Sequence, residues 1–154
     1  EDFQQHVSDV DASVKAAEQR ITQINNELNT QKVIQKHCDS YRLCRKVIED
    51  CKSAKNPNAY RTKHQVEYQL HDSLKKELQD LGVTKIPSSN KIQKRIENLE
   101  SEQAATVREK QELQKKQKTL DIIRQNFTAL LNSPEISSDL LPAKREPISV
   151  TRDK

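Results

Sequence analysis

Between Phe3 and Leu28, apolar or small side chains fall at Phe3, Val7, Val10, Val14, Ala17, Ile21, Ile24 and Leu28, in alternating steps of four and three. This is the seam of a helix that packs lengthwise against another helix. The pattern predicts a first helix from about residue 2 to about residue 52. After Leu28 the strict continuation would place Gln31 and Gln35 on the seam, whereas the next apolar stripe is Ile34, His37, Tyr41, Cys44, Ile48 and Cys51, which starts one residue early. A broken register marks a change of packing partner or a local over-winding. Leu43 and Val47 lie beside the stripe and widen its face, so this half of the helix is expected to meet more than one neighbour.

Residues 53–58 are the first turn, because Pro57 disfavours helix at the residue before it. A second helix is expected over 58–81, capped by Asn58, with Tyr60, His64, Leu70, Leu74, Leu78 and Leu81 along its stripe. Gly82 follows as its left-handed terminator. A connector with Pro87 leads to a third helix over 90–132, whose seam reads Ile92, Ile96, Leu99, Gln103, Thr106, Lys110, Leu113, Gln117, Leu120, Arg124, Phe127 and Leu131. Its ends are apolar and its middle is polar, which weakens a dry seam but fixes its register. Beyond Ser133 the prolines at 134, 142 and 147 and the aperiodic apolar residues predict a largely disordered tail, 133–154, ordered only by docking. The economical all-α fold is an elongated antiparallel coiled-coil hairpin of the two long helices, forming an arm over 1–132 with the short helix at its tip. Phe127 and Leu131 then return near Phe3 and Val7, and Ile92 sits near Tyr41. A homodimer through residues 3–28 is the rival way to satisfy the seam.

Composition sharpens this picture. Hydrophobic residues are 32%, aromatics 3%, and there is one glycine in 154 residues, too little for a thick core or for many loops. The chain has no methionine and reads as a fragment of a longer protein. No run approaches the roughly 20 apolar residues of a membrane span, and three cysteines without paired spacing suit a reducing compartment, so a cytoplasmic setting without membrane contact is expected.

Catalytic chemistry finds little purchase. The chain has no nucleophile elbow, no phosphate-cradling glycine loop and no His-x-Glu metal motif. A backbone-built oxyanion hole is hard to make with a single glycine. The fragment is therefore expected to be non-catalytic, with no small-molecule substrate and no cofactor. His37, Cys38, Cys44, Cys51, His64 and His71 invite a metal hypothesis. However, zinc ligands usually come in pairs two to four residues apart on a turn, whereas these cysteines are spaced by six and seven on a predicted helix. Cys44 and Cys51 read better as small hydrophobes in the tip core.

Charge is distributed unevenly: residues 1–30 carry a net of −4, residues 31–90 a net of +5 and residues 91–154 a net of +3. Lys36, Arg42, Arg45, Lys46, Lys52, Lys55, Arg61 and Lys63 gather around the predicted tip, against Asp39, Glu49 and Asp50. Arg42, Arg45, Lys46 and Glu49 fall at spacings that share one helix face. Such a group can hold phosphates by releasing counterions, without reading sequence, or it can simply solvate the tip. Tyr41 and Tyr60 are placed to stack bases in principle, but their seam positions favour burial.

The same region carries a pattern of motifs: Tyr41-Arg42 with Arg45-Lys46, Ala59-Tyr60-Arg61, His64 followed by Glu67, Leu70-His71, Leu74-Lys75-Lys76 and Leu81-Gly82-Val83-Thr84-Lys85-Ile86-Pro87. Over about residues 15–131 it resembles the C-terminal helical tail of relaxase/mobilisation nucleases of Gram-positive gut bacteria and their conjugative elements. The resemblance implies a parent protein that nicks DNA and holds it covalently, through a tyrosine and a metal-binding histidine cluster in an N-terminal domain outside this sequence. No catalytic residue carries over, and Tyr41, Tyr60 and Tyr68 are not the nicking tyrosine. Family tails tend to place alanine and phenylalanine where Leu74 and Leu78 stand, and tyrosines along the last helix where this chain has Gln and Lys. The resemblance implies a non-catalytic accessory arm that contacts DNA or other conjugation proteins. The alternative is a structural spacer or self-associating coiled coil with no nucleic-acid role.

Overall fold

The computed structural model describes residues 2–132; the expected tail, 133–154, lies outside them. Among the described residues every regular element is helical: α1 (Asp2–Asp50), a 3-10 turn (Cys51–Ser53), α2 (Pro57–Lys63), α3 (Gln65–Asp80) and α4 (Ser89–Asn132). The described residues fall into two compact units, one of residues 2–18 and 108–132, the other of residues 19–107.

In the first unit Val10, Val14 and Ala17 of α1 are buried. Lys110, Leu113, Gln117 and Leu120 of α4 are half-buried, in the spacing the sequence predicts. Gln117 donates to Asp11 at 2.7 Å and Lys110 pairs with Glu18 at 3.4 Å, so the two segments run in opposite directions. Polar seam residues thus find polar partners, which penalises a slip of one helix along the other. Phe3, Ile123 and Phe127 line one open groove. The predicted seam positions Phe127 and Leu131 are nevertheless 62% and 57% exposed.

The second unit holds the larger core. Ile24, Leu28, Ile34 and Cys38 of α1 meet Leu78 of α3 and Ile92, Ile96 and Leu99 of α4, with Tyr41, Val83 and Ile86 packed against them. Here too α1 and α4 are antiparallel: Gln103 bonds Asn25, Arg95 pairs with Glu27, and Gln35 bonds Gln93 at 2.9 Å. Thr106, the one buried polar residue of this seam, returns its hydroxyl to the Glu102 carbonyl at 2.8 Å, the usual way a helical threonine satisfies itself.

The register break after Leu28 marks the place where α1 acquires a second neighbour. His37 pairs with Glu77 of α3 at 3.1 Å, and Tyr41 stacks on His71 of α3 with centroids 4.6 Å apart. On the α4 side, Arg42 reaches Ser89 at 3.1 Å. The residue that faces both neighbours is Cys38, with no exposed surface at all. It lies one turn from Ile34, off the predicted stripe. Leu43, expected to widen the apolar face, is 70% exposed instead, because it points toward neither neighbour.

The expected single helix over 58–81 is two. Asn56, rather than Asn58, is the cap: its side chain accepts the Ala59 N–H at 3.2 Å, with Pro57 as the first helical residue. This satisfies an otherwise orphaned donor where proline needs none. The chain leaves helical geometry at His64 (φ −108°, ψ 26°). Two anchors set the two axes: the Tyr60 hydroxyl is tied to the Val47 carbonyl of α1 at 2.8 Å, while Leu74 and Leu78 are buried on α3. The inward stripe of α3 is Leu74 and Leu78, both buried, with His71 half-buried beside them, so Leu70 and Leu81, expected on it, are left 44% and 39% exposed.

The end of α3 is as the sequence predicts. Gly82 has φ +85°, its N–H donates to Gln79 O at 2.9 Å, and the Val83 N–H reaches Leu78 O at 2.8 Å. These two bonds make a Schellman cap, with Val83 packed on the core beside Leu78. A Cβ at Gly82 would meet nothing within 4 Å, so Gly82→Ala carries backbone strain without a clash. A loss of about 1–2 kcal/mol is expected in urea melts, and a neutral result would mean that the cap relaxes.

Candidate nucleic-acid interface

The eight basic residues expected to form the site fall on three successive elements, α1, the 3-10 turn and α2 with their linkers, but they do not behave as one group. Arg42 is half-buried, and its charge is already engaged. Its guanidinium bonds the Pro87 carbonyl, Ser89 Oγ and Asp39 Oδ1, so it clamps the α3–α4 connector onto α1. The face expected to be shared by Arg42, Arg45, Lys46 and Glu49 is therefore not a uniform cationic surface. Arg45 is exposed but neutralised by Glu49, one turn on, at 3.1 Å. Arg61 lies over the Tyr68 ring, 5.4 Å from its centroid, and the two line an open groove with Thr62, Gln65, Gln69 and Asp72.

Lys36, Lys46, Lys52, Lys55 and Lys63 are exposed. Among the described residues none of the five pairs with a carboxylate, in contrast to the cross-helix pairs Arg20–Glu102, Lys32–Glu100 and Arg95–Glu27 of the same unit. Exposed pairs of that kind contribute about 0–1 kcal/mol each, but they do cancel charge locally. Four of the five lysines lie within residues 46–63; Lys36 stands about 15 Å from Lys46 along α1.

Behind the lysines lies a compact polar cluster. Cys44 and Cys51 are buried with free thiols. Burial pushes the Cys44 thiol up, with the Glu67 carboxylate adding to the effect. Cys38, deeper in the core, is raised by burial too, against the opposing pull of Arg42. The His64 ring lies tilted against Tyr60, centroids 4.3 Å apart, and approaches Glu67 at 3.3 Å, holding that carboxyl below its usual range through the hydrogen bond. The Tyr68 phenol is raised, chiefly by its hydrogen bond with Cys51. These contacts are all internal, and among the described residues no three His, Cys, Asp or Glu side chains form a group fit to hold a metal ion.

Two features of the site went unread in the sequence. The Arg61–Tyr68 contact spans seven residues across the His64 break, a helical spacing that a continuous helix would have suggested. The engagement of Arg42 left no mark in the sequence, because its partners Pro87 and Ser89 are brought to it by the connector.

Comparison with protein families, with curated proteins and with solved structures gives no match. Fold and site alone define the class: an all-helical chain with a lysine-rich turn region, in which no described helix is long and apolar enough to cross a membrane.

Proposed function

We propose that this chain is a non-catalytic helical arm of a cytoplasmic DNA-processing relaxase, an antiparallel coiled-coil hairpin of α1 and α4 that holds DNA through the lysines around the α1–α2 turn. The observation that carries the DNA contact is the set of five lysines without carboxylate partners among the described residues. Unpaired exposed cations keep their counterions until a phosphate replaces them, and release of those ions drives binding. The motif resemblance over residues 15–131 supports the relaxase assignment, and paired seam residues such as Gln117–Asp11 support the hairpin. Anisotropy with labelled duplex DNA tests the reading. Binding in the micromolar range at low salt, weakening by an order of magnitude or more toward physiological salt, is the expected result. No binding at low salt would remove the nucleic-acid role.

A specific observation favours the other reading, a structural spacer or self-associating coiled coil with no nucleic-acid role: Ile123, Phe127, Leu130 and Leu131 on the last turns of α4 are each about half exposed or more. A solution mass of two chains by light scattering, together with no DNA binding, would select it.

A further inference from the structure

Resting on the DNA-holding reading above, we infer that the site takes nucleic acid by its phosphate backbone alone, with no base stacked on the protein. Single-strand sites that engage bases need an aromatic ring with an open face beside a cationic track. The chain has three tyrosines, two phenylalanines and no tryptophan. Both phenylalanines belong to the other unit, and each tyrosine of this unit is already engaged. Tyr41 lies against His71 and the core. Tyr60 lies against His64, and its hydroxyl donates to the Val47 carbonyl. Tyr68 carries Arg61 over one face, in the open groove that the two line.

The cations point the same way. Of the three arginines in the region, the planar groups suited to stacking and forked recognition, Arg42 and Arg45 bond Asp39 and Glu49 and Arg61 is laid on Tyr68. What remains is lysine, a compact charge on a flexible stem that meets phosphates without geometric demand. The ligand class is therefore a regular phosphate array, indifferent to base identity.

The test uses the full chain and two labelled strands of about twenty nucleotides, long enough to cover one such site: oligothymidine, and an abasic strand with the same number of phosphates. The expected result is equal affinity within about twofold at every salt concentration. The expected log–log salt slope is no steeper than about −3.5, the limit for five lysines on a single strand. Tighter binding of the thymidine strand by about tenfold or more, the size of a base–aromatic stack, would overturn the inference while leaving the DNA-holding reading intact. Failure of both strands at low salt would overturn that reading and the inference together. Arg61→Lys, which keeps the charge and removes the plane, is expected to leave both affinities unchanged. A loss confined to the thymidine strand would assign Arg61 a stacking role and also overturn the inference.

Discussion

Leu78→Ala is expected to lower the unfolding free energy by about 2–5 kcal/mol, the range for truncating a buried leucine that leaves a cavity. Leu78 is 1% exposed and belongs to the cluster that joins α1, α3 and α4. Collapse around the shortened side chain is resisted on two sides. Its carbonyl accepts the Val83 N–H at the Schellman cap, and the opposing residues, Ile24 and Ile92 among them, lie on long helices fixed by other contacts. The control is Leu70→Ala, one helix face away and 44% exposed, for which less than about 1 kcal/mol is expected because the side chain is already half in water. Urea melts followed by far-ultraviolet circular dichroism measure both. Equal losses would mean that α3 does not dock through Leu78, and the core of the second unit would have to be redrawn.

The second large effect concerns charge. Residues 36–63 carry eight basic and three acidic side chains, a net of +5, and Lys46→Glu, Lys52→Glu and Lys55→Glu together make that −1. These three side chains are exposed and without carboxylate partners among the described residues, so the triple variant is expected to keep its helical content. Affinity for duplex DNA at low salt should fall on the order of 100-fold, because three counterion-releasing contacts are replaced by repulsion. Lys115→Glu, Lys116→Glu and Lys118→Glu on α4 change the net charge of the whole chain equally, in the other unit. If binding depended on total charge alone, the two triples would weaken it alike; the proposed site requires the first to exceed the second by at least tenfold. Arg42 is left out of the set on purpose. Its bonds to Pro87 and Ser89 hold the connector, so its loss would confuse a binding defect with a folding one.

Much of this molecule is local and repetitive, and that part is readable from the chain. Two residues per heptad decide which side of a long helix is dry, so the seam from Val7 to Leu28 and its counterpart from Ile92 to Leu120 follow from spacing alone. Gly82 ends α3 because a left-handed residue is needed there and glycine adopts it without strain. The concentration of lysine between residues 46 and 63 is equally a property of the sequence.

Tertiary structure decided what depends on two partners at once. Cys38 is buried and Leu43 exposed because α3 and α4 together select the dry arc of α1, which no single-helix period encodes. The break at His64 arises because Tyr60 answers to α1 while Leu74 and Leu78 answer to the core, so one axis cannot serve both. Arg42 is an engaged, half-buried cation because the end of the α3–α4 connector and the start of α4 bring a carbonyl and a hydroxyl to it from more than forty residues away. Chain spacing fixes the face a side chain lies on; what it meets there is set by elements distant in sequence, and that decides which of the eight basic residues remain free to meet a phosphate.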